Sequence, residues 1–341
     1  MGEGSGVRGP ARLLHHSTQR RTEGNGALAA GEMPIVEMPR VVRRAGPFGC
    51  ALTVDVEEWY HTCLVPGFVQ PERRPALPHE LDRLIPEILE TFAAAGRTAT
   101  FFVLGEVAER LPRRVREIAA AGHEVGSHGH LHLRATERTL DDFARDIRRS
   151  RAVLEDVLGE SVRGFRAPEW SLRCLASPRL PLVAEAGFRY DSSLSPCAFA
   201  GRPGNPRFIS LLEWSGPPER DLLELPPLTF AGPLRLPAGS WTGRLVRPAR
   251  LIRAAEEHRA AGGLPVAVVH PWEITGRPTP GRLTGLARFV HETGRDGFDV
   301  RFRELLRALP WTSIREAGAL APALEPSPDL SAGLSAALPA G

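Results

Sequence analysis

Four short strand-like runs, spread along the whole chain, each end in polar residues able to do chemistry. The run Cys50-Ala51-Leu52-Thr53-Val54 leads to Asp55 and Glu57, and His123 to Ser127 leads to His128. Val162 to Phe165 leads to Arg166, and Pro265 to Val269 leads to His270. Amphipathic patterns of helical period lie between them, at 79–95, 113–121, 139–158 and 248–261. Short apolar runs alternating with helices predict a parallel sheet with crossover connections. Reactive residues at several strand ends predict a barrel mouth, because that edge carries the ligand-bearing loops in α/β barrels.

The densest of these ends is Gly122 to His132, which holds four of the chain's eleven histidines. His128 and His132 are four apart, so one helical turn would put both rings on one face. Neutral imidazole suits zinc and similar ions. A hydrolytic metal site needs few protein ligands and one open position. His128 and His132 supply two nitrogens, and Asp55 or Glu57 is the candidate carboxylate. Side chains alternate along a strand, so Asp55 and Glu57 share a face and Val56 points away. His270, at the end of an apolar strand, suits a general acid. His123 and His130 read as structural.

At 341 residues and 42% hydrophobic content, the chain is long enough for one barrel of about 250 residues with tails. The expected boundaries are a disordered leader at 1–46, a catalytic domain at 47–312 and an Ala/Pro-rich disordered tail at 313–341. Met33 and Met38 are candidate true starts. The formal charge is +3, and every basic side chain is Arg. These arginines are dispersed rather than gathered in a stripe, which argues against nucleic acid. The four cysteines form no C-x-x-C pair, so neither a disulfide scaffold nor a zinc knuckle is expected. No run approaches the roughly 20 apolar residues of a membrane span, nor the h-region of a signal peptide, so a cytoplasmic location is expected.

Ser127-His128-Gly129-His130-Leu131-His132 resembles the His-(Ser/Thr)-x-x-His metal motif of the polysaccharide deacetylases, the NodB-homology or family 4 carbohydrate esterases. Thr53-Val54-Asp55-Val56-Glu57, Arg166-Ala167-Pro168 and Val268-Val269-His270 are similar to further family landmarks in the same order. The resemblance covers about Cys50 to Leu309. Asp55-Val56-Glu57-Glu58-Trp59 is most similar to the bacterial branch linked to exopolysaccharide gene clusters.

The resemblance implies a distorted, incomplete (β/α) barrel and a metal-dependent hydrolase that removes N-acetyl groups from N-acetylhexosamine units of a glycan. The family's usual pair is two adjacent aspartates, the first a base and the second a ligand. Here the second is Val56, so the expected roles are Asp55 as base and Glu57 with His128 and His132 as ligands, most simply for Zn²⁺. The resemblance further implies Arg166 pairing with Asp55, His270 as acid and Asp191 orienting His270. Substrate contacts are expected from Trp59, Pro168, Trp170 and Trp272. Two other readings stay open: a cyclic-amide hydrolase resembling the allantoinase-like branch, and an inactive glycan-binding protein.

Overall fold

The computed structural model describes Met1 and residues 37–61, 71–275 and 285–318. The chain divides into two units, Met1–Ile35 and Val36–Gly341, and all that follows concerns the second. Ten strands form one sheet: β1 (Arg40–Arg43), β2 (Cys50–Val56), β3 (Thr100–Val103), β4 (Glu124–Ser127), β5 (Gly164–Phe165), β6 (Tyr190–Asp191), β7 (Ser210–Glu213), β8 (Leu222–Glu224), β9 (Val266–Val269) and β10 (Trp311–Thr312). The helices are α1 (Leu81–Ala95), α2 (Gly105–Arg110), α3 (Pro112–Ala120), α4 (Leu140–Leu158), α5 (Leu180–Glu185), α6 (Ser240–Leu245), α7 (Pro248–Ala260), α8 (Pro271–Ile274), α9 (Gly285–Glu292) and α10 (Phe298–Ala308).

Strands β9, β2, β3, β4, β5, β6 and β8 pair in parallel in that spatial order. Between β8 and β9 no ladder forms among the described residues. The chain after β8 instead reaches β9 through Leu228 N donating to Val266 O at 2.8 Å. The result is the distorted, incomplete (β/α) barrel expected from the sequence. Two antiparallel strands extend its edge, with β7 on β8 and β1 on β7.

Strand β2 shows how sequence alternation builds both the core and the site. Cys50, Leu52, Val54 and Val56 join the large core shared with the helices, whereas Ala51 joins the smaller core inside the sheet. Thr53 and Asp55 share the inner face by the two-residue period. Helix α4 begins at Thr139, whose hydroxyl accepts from Asp142 N at 3.1 Å, an N-cap that satisfies one orphan amide. Gly159, in the left-handed conformation, ends it.

The boundaries differ from the sequence expectation. β1 lies in the stretch expected to be leader, and its pairing with β7 is non-local, so no local pattern announces it. Ile314 and Ala317, in the stretch expected to be tail, are buried in the inner core. Residues 2–36 and 319–341, and with them the candidate start Met33, fall outside the described residues. Cys50, Cys174 and Cys197 are free thiols. No helix among the described residues is long and apolar enough to cross a membrane.

Candidate active site

The strand ends meet at one edge of the sheet. Asp55 and Glu57 come from the end of β2, His128 follows β4, Arg166 follows β5, and His270 follows β9. All five, with His132, line one cleft of about 480 Å³. The segment after β4 is not the expected helical turn. Gly129 has φ 78° and His132 φ 50°, both in the left-handed region, so the chain curls tightly and returns His132 toward the strand end. A Cβ on Gly129 would also sit 3.2 Å from Asp146 Oδ2. That carboxylate accepts from His130 N at 2.8 Å and holds the turn.

One ligand atom each from Glu57, His128 and His132 lies within 4.8 Å of the others, and all three residues are buried. His132 Nε2 is 2.5 Å from Glu57 Oε2, and His128 Nε2 is 3.9 Å from the same oxygen. His128 Nδ1 is 2.9 Å from the Arg166 carbonyl, an acceptor only, so Nδ1 carries the proton and Nε2 faces the site with its lone pair. Burial lowers His128 to about 4, the neutral form a metal requires. Burial pushes Glu57 up, but His132, His270 and His128 outweigh it and hold the carboxylate well below its usual range. A buried, convergent mixed N/O set of three fits a divalent cation with an open position.

Arg166 Nη1 donates to Asp55 Oδ1 at 2.6 Å and to Thr53 Oγ1 at 2.7 Å, while Nη2 donates to Ser192 Oγ at 2.9 Å. This fixes Asp55 and leaves Oδ2 toward the site, 4.0 Å from His128 Nε2. His270 Nε2 is 3.5 Å from Glu57 Oε1.

Asp191, expected to orient His270, does something else. Ser193 Oγ donates to its Oδ1 at 2.5 Å, and it pairs side by side with Glu224 across β6 and β8. The carboxylate that holds His270 is Glu273, 2.9 Å from His270 Nδ1 and from the His270 backbone N–H. Glu273 is paired in turn with fully buried Arg244 at 2.8 Å. The signal was present in His270-Pro271-Trp272-Glu273. An acid three residues after a helix N-cap reaches back in a capping box. Burial lowers His270, but the carboxylates of Glu273 and Glu57 outweigh it and raise it to about 9.

The buried Asp191–Glu224 pair titrates as a unit. Desolvation raises Asp191 to about 6 and, with the neighbouring Asp191 charge, raises Glu224 well above its usual range. Among the described residues no N–H or O–H group donates to Glu224 Oε2, which suits a proton shared with Asp191. Raised carboxylates stabilise the fold fully below their unfolded pKa of roughly 4 and lose that contribution as pH rises through about 6 and beyond. Glu224→Gln keeps an acceptor for Leu194 N and supplies a donor to Asp191. Its melting temperature relative to the natural chain should therefore rise by about 2–4 °C from pH 5 to pH 8, read by scanning calorimetry. A difference that stays flat with pH contradicts the shared proton.

The other expected contacts divide. Trp170 and Trp272 line the cleft, together with Trp241. Trp59 does not, because its Nε1 donates to Pro78 O at 3.0 Å and the ring is buried behind the site. Pro168 is buried under the Gly129 turn rather than lining the cleft. Glu58 caps the start of α1, accepting from Glu80 N at 2.9 Å and pairing with Arg110 at 2.6 Å. His61 stacks on His132 with centroids 5.5 Å apart and pairs with Glu106 at 3.0 Å. Six non-glycine residues among those described have positive φ, and five of them, His132, Glu169, Trp170, Arg173 and Ser240, line this cleft. Strain concentrated in one cleft marks a functional surface.

The family profile for polysaccharide deacetylase matches residues 77–190, and a domain of unknown function (DUF3473) matches 192–319. A peptidoglycan deacetylase from Helicobacter pylori is 31% identical over 110 residues, 32% of this chain and 36% of that protein. A chitooligosaccharide deacetylase from Sinorhizobium fredii is 34% identical over 84 residues, 24% of this chain and 39% of that protein. The matches thus span little more than a third of these curated relatives. A crystal structure from Mycobacterium smegmatis assigned to the polysaccharide deacetylases superposes with TM-score 0.51 at 24% identity, covering 79% of this chain and 87% of that one, which supports the fold. Residues 77–190 thus match the polysaccharide deacetylase family, and the chain as a whole shares the fold of a structure assigned to that family.

Proposed function

We propose that the protein is a metal-dependent amide hydrolase that removes acetyl groups from N-acetylhexosamine units of a polysaccharide or its precursor, in an exopolysaccharide setting. The observation that carries this is the buried Glu57–His128–His132 donor set beside Asp55 and His270. A divalent cation held there, Zn²⁺ by donor chemistry, supplies Lewis acidity toward water and the amide carbonyl.

The chain's own groups do the rest. Asp55, held by Arg166, takes the proton of the attacking water through Oδ2. His270 gives its Nε2 proton to the amine as the carbon–nitrogen bond breaks, because an amine is a poor leaving group unless protonated. Glu273 fixes the tautomer and ring plane of His270. Trp170 and Trp241 offer aromatic faces to a sugar ring. The relatives described as peptidoglycan and chitooligosaccharide deacetylases support an acetamide substrate.

The test is acetate release from a panel of N-acetylated oligosaccharides, before and after chelation. Release that is lost on chelation and restored by Zn²⁺ is expected. No acetate from any glycan, with ring opening of a cyclic amide instead, would favour the allantoinase-like reading.

A further inference from the structure

Beside His270 the cleft wall carries polar atoms that have no hydrogen-bond partner among the described residues. Trp272 stacks on His270 with ring centroids 5.1 Å apart, and His291 packs on Trp272 at 4.3 Å. His291 is 1% exposed, yet both ring nitrogens lack a hydrogen-bond partner among the described residues. Trp272 Nε1 also lacks one. Each orphaned buried polar group costs about 1–3 kcal/mol, so three in one wall call for an explanation. Both residues line the cleft that holds Asp55 and His270.

The wall is rigid. Arg244 Nη1 donates to the carbonyls of His291 at 2.8 Å and Thr293 at 3.1 Å, while its Nε pairs with Glu273. One buried guanidinium thus anchors both the partner of His270 and the end of α9 that carries His291. Burial lowers His291 to about 4, against Glu57 and Glu273, which raise it, and His270 and Arg244, which lower it further. At neutral pH the ring therefore offers one donor and one acceptor, and the indole one donor. That set matches hydroxyl groups, and it supplies no charge for a carboxylate.

We propose that His291 and the Trp272 indole form a hydroxyl-binding subsite that selects a neutral hexosamine next to the scissile acetamide. This rests on the deacetylase reading above. The subsite sets binding, whereas His270 sets the proton transfer, so the two should separate kinetically.

The experiment compares the Zn²⁺-loaded natural chain with His291→Phe and His291→Gln on N-acetylglucosamine oligomers. Phe preserves the stack on Trp272 and removes both nitrogens, and Gln restores a donor and an acceptor. His291→Phe should raise KM roughly tenfold with kcat changed less than about threefold, the scale of one lost hydrogen bond. His291→Gln should recover most of that. Monodeoxy oligomers on the natural chain keep the test independent of variant folding. One hydroxyl position should cost about tenfold in KM, and His291→Phe should be insensitive to it whereas His291→Gln should stay sensitive. A kcat loss at unchanged KM, no sensitive hydroxyl, or equal effects of Phe and Gln overturns the subsite. A natural chain inert on every acetylated glycan overturns the deacetylase reading and the subsite together.

Discussion

His270→Ala should lower turnover on an N-acetylated glycan by roughly 10²–10⁴, the usual size of an acid–base contribution, and leave metal content unchanged. Its Nε2 faces the site 3.5 Å from Glu57, and its Nδ1 is tied to Glu273, so the ring is oriented to give a proton at one atom. The carboxylates of Glu273 and Glu57 hold it protonated up to about 9 against the pull of burial. A cation beside Glu57 moves that value down, while the Glu273 bond persists. The acid form is lost as pH rises, so His270 governs the alkaline limb of the rate profile. Glu273→Gln removes the larger raising charge and should shift that limb to lower pH. An ester with a good leaving group needs little protonation, so His270→Ala should spare it. Equal losses on ester and acetamide would make His270 structural.

Asp55→Asn should keep the metal and lose at least about 10²-fold in turnover, whereas Glu57→Ala should lose the metal. The two carboxylates stand in different surroundings. Glu57 Oε2 is 2.5 Å from His132 Nε2, between the imidazoles. Asp55 Oδ1 is engaged by Arg166, with only Oδ2 toward the cleft. Elemental analysis after dialysis against micromolar Zn²⁺ distinguishes them. If Asp55→Asn loses the ion and Glu57→Ala keeps it, the two roles must be exchanged.

The strand ends were legible because an apolar run closed by a polar residue is a local pattern. The alternation that carries Glu57 back to the face of Asp55 is local too. What the sequence hid depends on contacts between distant segments. Arg40 to Arg43 is a strand only because β7 lies beside it. Asp191 reads like a site residue because it ends a strand, but its neighbour on β8 is Glu224, and that carboxylate and Ser193 engage it instead of His270. Trp59 follows the reactive strand end, yet Pro78 captures its indole. The His128–His132 spacing suggested a helix, and Gly129, held left-handed, made a turn that brings the rings together another way. Glu273 is legible from its spacing to His270, although it lies in the helix beyond the strand end. Arg244 and His291 had no local signal, since each gains meaning from the wall it shares with Trp272.

The most direct test of the account is acetate release measured while metal-free protein is titrated with Zn²⁺. Activity on an N-acetylglucosamine oligomer should rise in proportion and level off at about one equivalent per chain, as one Glu57–His128–His132 set requires. His132→Ala should show neither tight uptake nor the rise. Full acetate release by the metal-free chain, or uptake unchanged by His132→Ala, would contradict it.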